Sequence, residues 1–250
     1  MPTRILLAGA AGAVGRRLTP LLIASGYKVF GTTRSSEKAG LLRTCGAEPL
    51  VLDVFDTEAL RRAFALAQPD IVMHQLTDLP ARLTPDRMKE AVAANARIRR
   101  EGTANLVEAA LAVNARHIVA QSIAWACAPG PLPHSEADPL DVGAEGDRGV
   151  SVGGVAALEE QVLHTPGLRG TVLRYGQLYG PGTGFDEPHG TMPLHVDAAA
   201  FAALLAAERE VSGVFNVAEP NGEVSTAKAG RELGWNAAFR MPPAGAQPLA

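Results

Sequence analysis

The stretch Arg4-Ile5-Leu6-Leu7-Ala8-Gly9-Ala10-Ala11-Gly12-Ala13-Val14-Gly15 decides how this chain is read. Its first five residues are an apolar run of the kind found in a parallel strand covered on both faces. The run passes straight into glycines at Gly9, Gly12 and Gly15. A helical pattern with Leu18, Leu21 and Leu22 on one face follows, and it stops at Ser25-Gly26. Lys28-Val29-Phe30-Gly31-Thr32-Thr33 is then a second strand, ending at Arg34. Between a strand and a helix the glycines have separate physical reasons. One permits a sharp turn, one lets the backbone approach a pyrophosphate, and one lets helix and strand pack closely. The amino end of the helix adds free N–H groups and a partial positive charge. The turn from Gly9 to Gly15, with Ala11, Ala13 and Val14 inside it, is therefore the expected phosphate cradle of a dinucleotide. Its spacing is G-x-x-G-x-x-G rather than the commoner G-x-G-x-x-G.

The end of the second strand lacks the acidic residue that would hold a ribose 2′-hydroxyl. It offers Thr32, Thr33, Arg34 and Ser35, with Lys38 a turn later. A carboxylate there would repel a 2′-phosphate, whereas an arginine and hydroxyls would bind one. The expected cofactor is NADP, with NAD as the alternative.

Outward from this unit, strands and helices alternate. Residues 36–46 read as a short helix and 48–54 as a third strand. Thr57 caps a helix with Leu60, Phe64 and Leu66 on its apolar face. Residues 71–75 form a fourth strand, and Pro85 to Asn114 a long helical region with Gly102 inside it. Residues 117–121 are a fifth strand, leading to Ser122 and Trp125; a proline-rich loop runs from Pro129 to Pro139. A helix over 150–164 and a strand over 169–174 come next. A turn-rich loop at 179–184, a helix over 196–210 and a strand over 214–217 complete the pattern, and the tail after Trp235 is expected to fray. This order predicts an α/β fold, a doubly wound parallel sheet with right-handed crossovers. Residues 1–174 would carry the nucleotide and 175–250 would form a small lid on the substrate side, with the 196–210 helix packing back. Ligands of such sheets sit beyond the carboxyl ends of the strands, which gathers Gly9, Thr32, Asp53, His74 and Ser122 around one crevice.

At 250 residues, 47% of them hydrophobic, the chain is long enough for one large domain and a small addition. A net charge of −3 gives no reason to expect nucleic acid or an anionic membrane as partner. No apolar run approaches the length of a membrane span, and residues 1–8 do not read as a signal peptide. Cys45 and Cys127 are too few and too far apart for a disulfide framework, and the histidines and cysteines show no metal-ligand spacing. A cytoplasmic protein acting on a small molecule is expected.

With these features in order, the sequence resembles the extended short-chain dehydrogenase/reductase family, also called the NAD-dependent epimerase/dehydratase family. The resemblance rests on the glycine turn, Asp53-Val54, Gly102-Thr103-Ala104-Asn105-Leu106, Ser122, the run Leu173 to Gly182, His195-Val196-Asp197 and Gly213 to Val217. It implies a Rossmann-like domain in which Asp53 and Val54 contact the adenine and Ser122 lies beside a substrate carbonyl. It also implies a homodimer through the helices around 85–114 and 150–164. The family's chemistry rests on a Tyr-x-x-x-Lys pair on the helix after the serine, the tyrosine serving as acid or base and the lysine lowering its pKa. Here, anchoring on Glu160-Gln161, Val152 stands where the tyrosine belongs and Ala156 where the lysine belongs. The three tyrosines are Tyr27, Tyr175 and Tyr179, and no lysine lies between Lys89 and Lys228. Ser122, His74 and Tyr175 are the candidates to fill the gap. The resemblance therefore implies an atypical NADP-binding oxidoreductase, or an epimerase- or dehydratase-type enzyme, for a small carbonyl or sugar-like compound. The rivals are a catalytically silent nucleotide sensor and a non-redox isomerase or lyase.

Overall fold

In the computed structural model, residues 1–78 and 85–242 are described. Seven parallel strands form one sheet in the order β3-β2-β1-β4-β5-β6-β9. These are β1 (Arg4–Ala8), β2 (Lys28–Thr33), β3 (Glu48–Val51), β4 (Ile71–His74), β5 (His117–Ile123), β6 (Arg169–Tyr175) and β9 (Gly213–Val217). Helices α1 (Ala13–Ala24) and α7 (Val196–Arg209) pack on one face with Val14, Leu18, Leu22, Leu204 and Leu205 turned inward against Ile5, Leu7, Met73 and Phe215. On the other face lie α3 (Thr57–Ala67), α5 (Thr103–Ala112) and α6 (Gly146–His164). There Leu60, Phe64, Leu106, Leu158 and Val162 cover Leu6, Phe30, Val72 and Ile118. Alternate strand residues thus feed two separate apolar layers, the requirement for a sheet buried on both sides.

Several local expectations shift. The α3 cap is Asp56, whose carboxylate accepts from the Ala59 N–H at 2.9 Å, and Thr57 is the first helical residue. Leu66 points to solvent, because helical periodicity puts Ala63 and Ala67 beside Leu60 and Phe64 instead. The long helical region is three pieces: α4 (Pro85–Arg97), a π-turn at Ile98–Gly102, and α5. β5 extends through Ser122 to Ile123, and α6 begins at Gly146. Beyond residue 174, β9 pairs in parallel with β6 and α7 seals the first apolar layer. A short parallel pair, β7 (Gln177–Tyr179) with β8 (Pro193–His195), stands apart from the main sheet.

The chain after Trp235 does not fray through the described residues. The Trp235 indole donates to the Ala198 carbonyl at 2.8 Å, Phe239 stacks on Phe201, and the Met241 N–H donates to Asp197 at 3.0 Å. Buried apolar contact and paired polar groups tie this segment to α7; residues 243–250 lie outside the described residues.

Leu6 sits fully buried in the middle of β1. Leu6→Ala is expected to lower unfolding stability by about 3 kcal/mol through lost burial and a residual cavity. Urea denaturation measures this as a lower midpoint at unchanged slope.

Candidate active site

The strand order reverses between β1 and β4, so the crevice of this sheet opens beyond their carboxyl ends. Gly9 turns the chain there with φ +88°, and a Cβ on it would lie 2.5 Å from the Gln75 carbonyl oxygen. A Cβ on Gly15 would lie 2.2 Å from the Gly9 oxygen, so helix α1 also meets the turn backbone to backbone. Gly12 is the helix N-cap. It has no side-chain cap, and the first turn has no acidic residue. The α2 helix (Ser36–Thr44) and α3, by contrast, are capped by Ser35 and Asp56. The amino end of α1 therefore keeps its N–H donors free, which fits the pyrophosphate of a dinucleotide. From the C-terminal side, the loop at Gly182 comes up against Arg16 and Ala13 in the first turn of α1.

The residues expected around the adenosine end have mixed duties. Thr32 is buried, and its hydroxyl accepts from the Gly9 N–H at 3.3 Å, so it braces the glycine turn. Ser35 caps α2 through the Lys38 N–H, and the Thr33 hydroxyl accepts from the Ser35 N–H. Arg34 extends into solvent and pairs with Asp78 at 2.9 Å across the mouth of the crevice. Asp53 folds its own turn by accepting from the Phe55 N–H. Val54 is buried against Gly102, and its carbonyl takes the Asn105 amide at 3.0 Å.

Two of the three catalytic expectations are corrected by burial. His74 is fully buried, with Nε2 3.1 Å from the Thr103 hydroxyl and Nδ1 accepting the Leu76 N–H. Burial, reinforced by the Arg99 charge, pulls its pKa down to about 4, so it is a neutral clamp between β4 and α5. Tyr175 lies in the apolar layer under α7, where its hydroxyl donates to the Ala199 carbonyl at 3.1 Å. Burial pushes its pKa well above the ordinary tyrosine value, so it neither reaches the crevice nor gives up a proton near neutrality.

Ser122 does stand at the carboxyl end of β5, but its hydroxyl turns toward α6 and donates to Glu159 at 3.0 Å. Glu159 in turn accepts two bonds from the Arg174 guanidinium, at 2.9 and 2.8 Å. All three side chains are buried. Ser122 is thus one member of a buried polar cluster that joins β5, β6 and α6.

Glu159 also resets the comparison with the missing pair. Glu160 points to solvent and binds His164; the glutamate that faces the sheet is Glu159. The same spacing counted back from Glu159 puts Ser151 at the tyrosine place and Val155 at the lysine place. On either count these places hold Ser151 and Val155, or Val152 and Ala156; Ser151 and Ala156 are half-buried, and Val152 and Val155 are buried. Val152 and Val155 pack with Ala126, Ile123 and Leu140 into a small apolar patch.

Sequence reasoning missed the facing wall. Asn95 on α4, Arg99 in the π-turn and Thr103 on α5 follow one another at helical spacing. Asn95 takes the Asp78 N–H and donates to the Asp78 carbonyl, both at 3.1 Å, and Thr103 holds His74. Arg99 lies between them, with Nη1 3.2 Å from the Ser151 hydroxyl. Polar side chains at i, i+4 and i+8 on a helix face turned toward the sheet were the available signal.

Fold and glycine turn together define a dinucleotide-binding α/β protein of the doubly wound class. Residues 5–213 match the model of the NAD dependent epimerase/dehydratase family, and the chain belongs to that family. A curated relative, the 3-diazoavenalumate denitrifying reductase of a Streptomyces species, is 43% identical over 238 residues, covering 86% of this chain and 76% of the relative. Among solved structures, UDP-glucose 4-epimerase of Thermotoga maritima with UDP-glucose superposes with a TM-score of 0.76 at 21% identity, covering 94% of each chain. The Bordetella bronchiseptica enzyme WbmG in complex with NAD gives 0.75 at 18% identity, covering 96% of this chain and 91% of that one. At these identities the two structures show the shared fold. Among the described residues no helix is long and apolar enough to cross a membrane.

Removing the acid from the buried cluster leaves Arg174 as an uncompensated buried charge. Glu159→Ala is expected to cost about 3–5 kcal/mol of stability, read by urea denaturation. A second prediction concerns pH. His74 and His117 both have folded pKa values of about 4, lowered first by burial, against an ordinary 6.5. Between those values the unfolded chain binds protons that the folded chain does not. The stability is therefore complete above pH 6.5 and lost as pH falls toward 4. Melting temperature measured across that window should fall with pH, and His74→Asn should flatten the slope.

Proposed function

We propose that this protein is an NADP-dependent reductase that delivers hydride to a substrate needing no acid from the protein, and that the reacting group is a diazonium group. The observation that carries the reading is the pairing of an uncapped α1 amino end with an α6 helix that carries Ser151, Val152, Val155 and Ala156 where a tyrosine and lysine would be expected. The free N–H groups of α1 and the glycine turn would hold the pyrophosphate, and Arg34 a 2′-phosphate once Asp78 is displaced. Asp53 and Val54 would border the adenine. When bound, the reduced nicotinamide supplies a hydride.

A carbonyl that accepts hydride becomes an alkoxide and must be protonated, and oxidation of a sugar hydroxyl needs a base. Both tasks call for a group such as the tyrosine this chain lacks. A diazonium carbon is different. It gains the hydrogen and both electrons, its C–N bond breaks, and dinitrogen leaves: R–N2+ + H− → R–H + N2. Atoms and charge balance with no proton from the protein. The half-buried Ile123, backed by Val152 and Val155, would help to exclude the water that otherwise hydrolyses such a substrate. The denitrifying reductase among the relatives supports this choice over a carbonyl or a nucleotide sugar.

Diazotised 4-aminobenzoate with NADPH should yield benzoate and dinitrogen with loss of nicotinamide absorbance, and deuterium at C4 of the cofactor should reach the ring. Reduction of aldehydes and ketones without any turnover of the diazonium would overturn the proposal. On the cofactor, Arg34→Ala should weaken NADPH binding roughly tenfold or more and leave NADH unchanged, whereas Asp78→Asn should tighten NADPH, both by calorimetry.

A further inference from the structure

Arg99 is a half-buried cation to which no described carboxylate is hydrogen-bonded. The α4–α5 wall turns three polar side chains toward the carboxyl edge of β4, and two are committed: Asn95 to the Asp78 backbone, Thr103 to His74. Among the described residues Arg99 bonds only to Ser151, through the hydroxyl at 3.2 Å and the carbonyl at 3.4 Å. Among the described residues no carboxylate hydrogen-bonds it. Glu159, the acid whose charge it senses, is already taken by both nitrogens of Arg174 and by Ser122. Burial pulls the Arg99 pKa down to about 10, and the Glu159 charge offsets this only in part.

The placement puts that charge on the crevice wall. Thr103 and Asn105 are level with the ends of β4 and β3, since they bond His74 and the Val54 carbonyl. Arg99 is one helical turn further out, beyond the sheet edge. Its neighbour Ser151 lies two turns out from Glu159, which marks the end of β5. The helices cross at Ala96 and Gly154, where a Cβ on the glycine would come within 2.8 Å of the Ala96 Cα. That close crossing brings Arg99 and Ser151 face to face. Beside them are the apolar Val152, Val155 and Ile123, and Trp125 stands half exposed just past β5.

We propose that Arg99 anchors a carboxylate of the substrate, its guanidinium giving two parallel hydrogen bonds to the acid while an apolar body lies along Ile123. One guanidinium in a fixed fork matches the charge and planarity of one carboxylate. The proposal rests on the crevice being the substrate site of the reductase described above. It narrows the substrate class to small apolar acids.

The test titrates the folded protein, with and without NADPH, by ligand-observed NMR, using benzoate, 3-phenylpropanoate, benzamide and phenyl phosphate. Wild type should bind at least one of the two acids, and benzamide at least tenfold more weakly. Arg99→Met, which keeps most of the stem, should lose at least tenfold in acid affinity, and Arg99→Lys several-fold, with NADPH affinity unchanged in both. If Arg99→Met does not fold, the lysine variant carries the comparison. Equal binding of benzoate and benzamide, acid binding unaffected in the variants, no acid binding at all, or preference for phenyl phosphate would each overturn the anchor. Arg99-dependent acid binding in a protein that takes up no nicotinamide nucleotide would leave the anchor standing and remove the reductase.

Discussion

The molecule depends on the approach of two backbones where β1 and β4 run out of the sheet. Gly9 lies so close to Gln75 that any side chain on it would collide with a carbonyl group, and Gly15 is equally close to Gly9. Nothing flexible lies in the way, so no larger residue is accommodated by side-chain movement. This seam fixes where α1 begins, and therefore where its uncapped N–H groups point. Thr32 completes it from β2 by accepting the Gly9 N–H. A turn that serves a ligand is held by strands on both sides of it.

A second constraint sits below the opposite half of the crevice. Ser122, Glu159 and Arg174 form a buried network in which every charge has a charge-assisted partner. Such a network contributes little net free energy over an apolar core, but it has few alternative arrangements, and so it specifies the relation of α6 to β5 and β6. The apolar patch at Val152 and the Ser151–Arg99 contact inherit their positions from it.

Much of the sheet was legible in the sequence, because a parallel strand covered on both faces leaves an apolar run bounded by turns, and the glycine turn needs its strand and helix. Leu66 shows where pattern gave way: it joined the apolar face by identity, whereas the angular position of Ala63 and Ala67 decided the packing. The candidate site was less legible. His74 and Tyr175 end strands that point at the crevice, yet the faces of those strands turn both side chains into closed layers, and one residue of register separates an acid from a core residue. The Glu159 anchor was misplaced by one position, since Glu159 and Glu160 are adjacent in sequence and only burial separates them. Arg99 was passed over because a helix arginine is usually solvated, and the spacing it shares with Asn95 and Thr103 does not by itself show that a second helix covers it.

The π-turn at Ile98–Gly102 has a wider meaning. An extra residue in one helical turn rotates everything before it by about 100° relative to everything after it. In this chain the part after the turn is bolted to the sheet through Thr103 and Asn105, and the part before it faces the open mouth. Gain or loss of a single residue at that point would re-aim the outer wall and leave the framework in place. A lineage can therefore turn such a helix to present new chemistry to an old cofactor groove, and selectivity can diverge without any remodelling of the sheet.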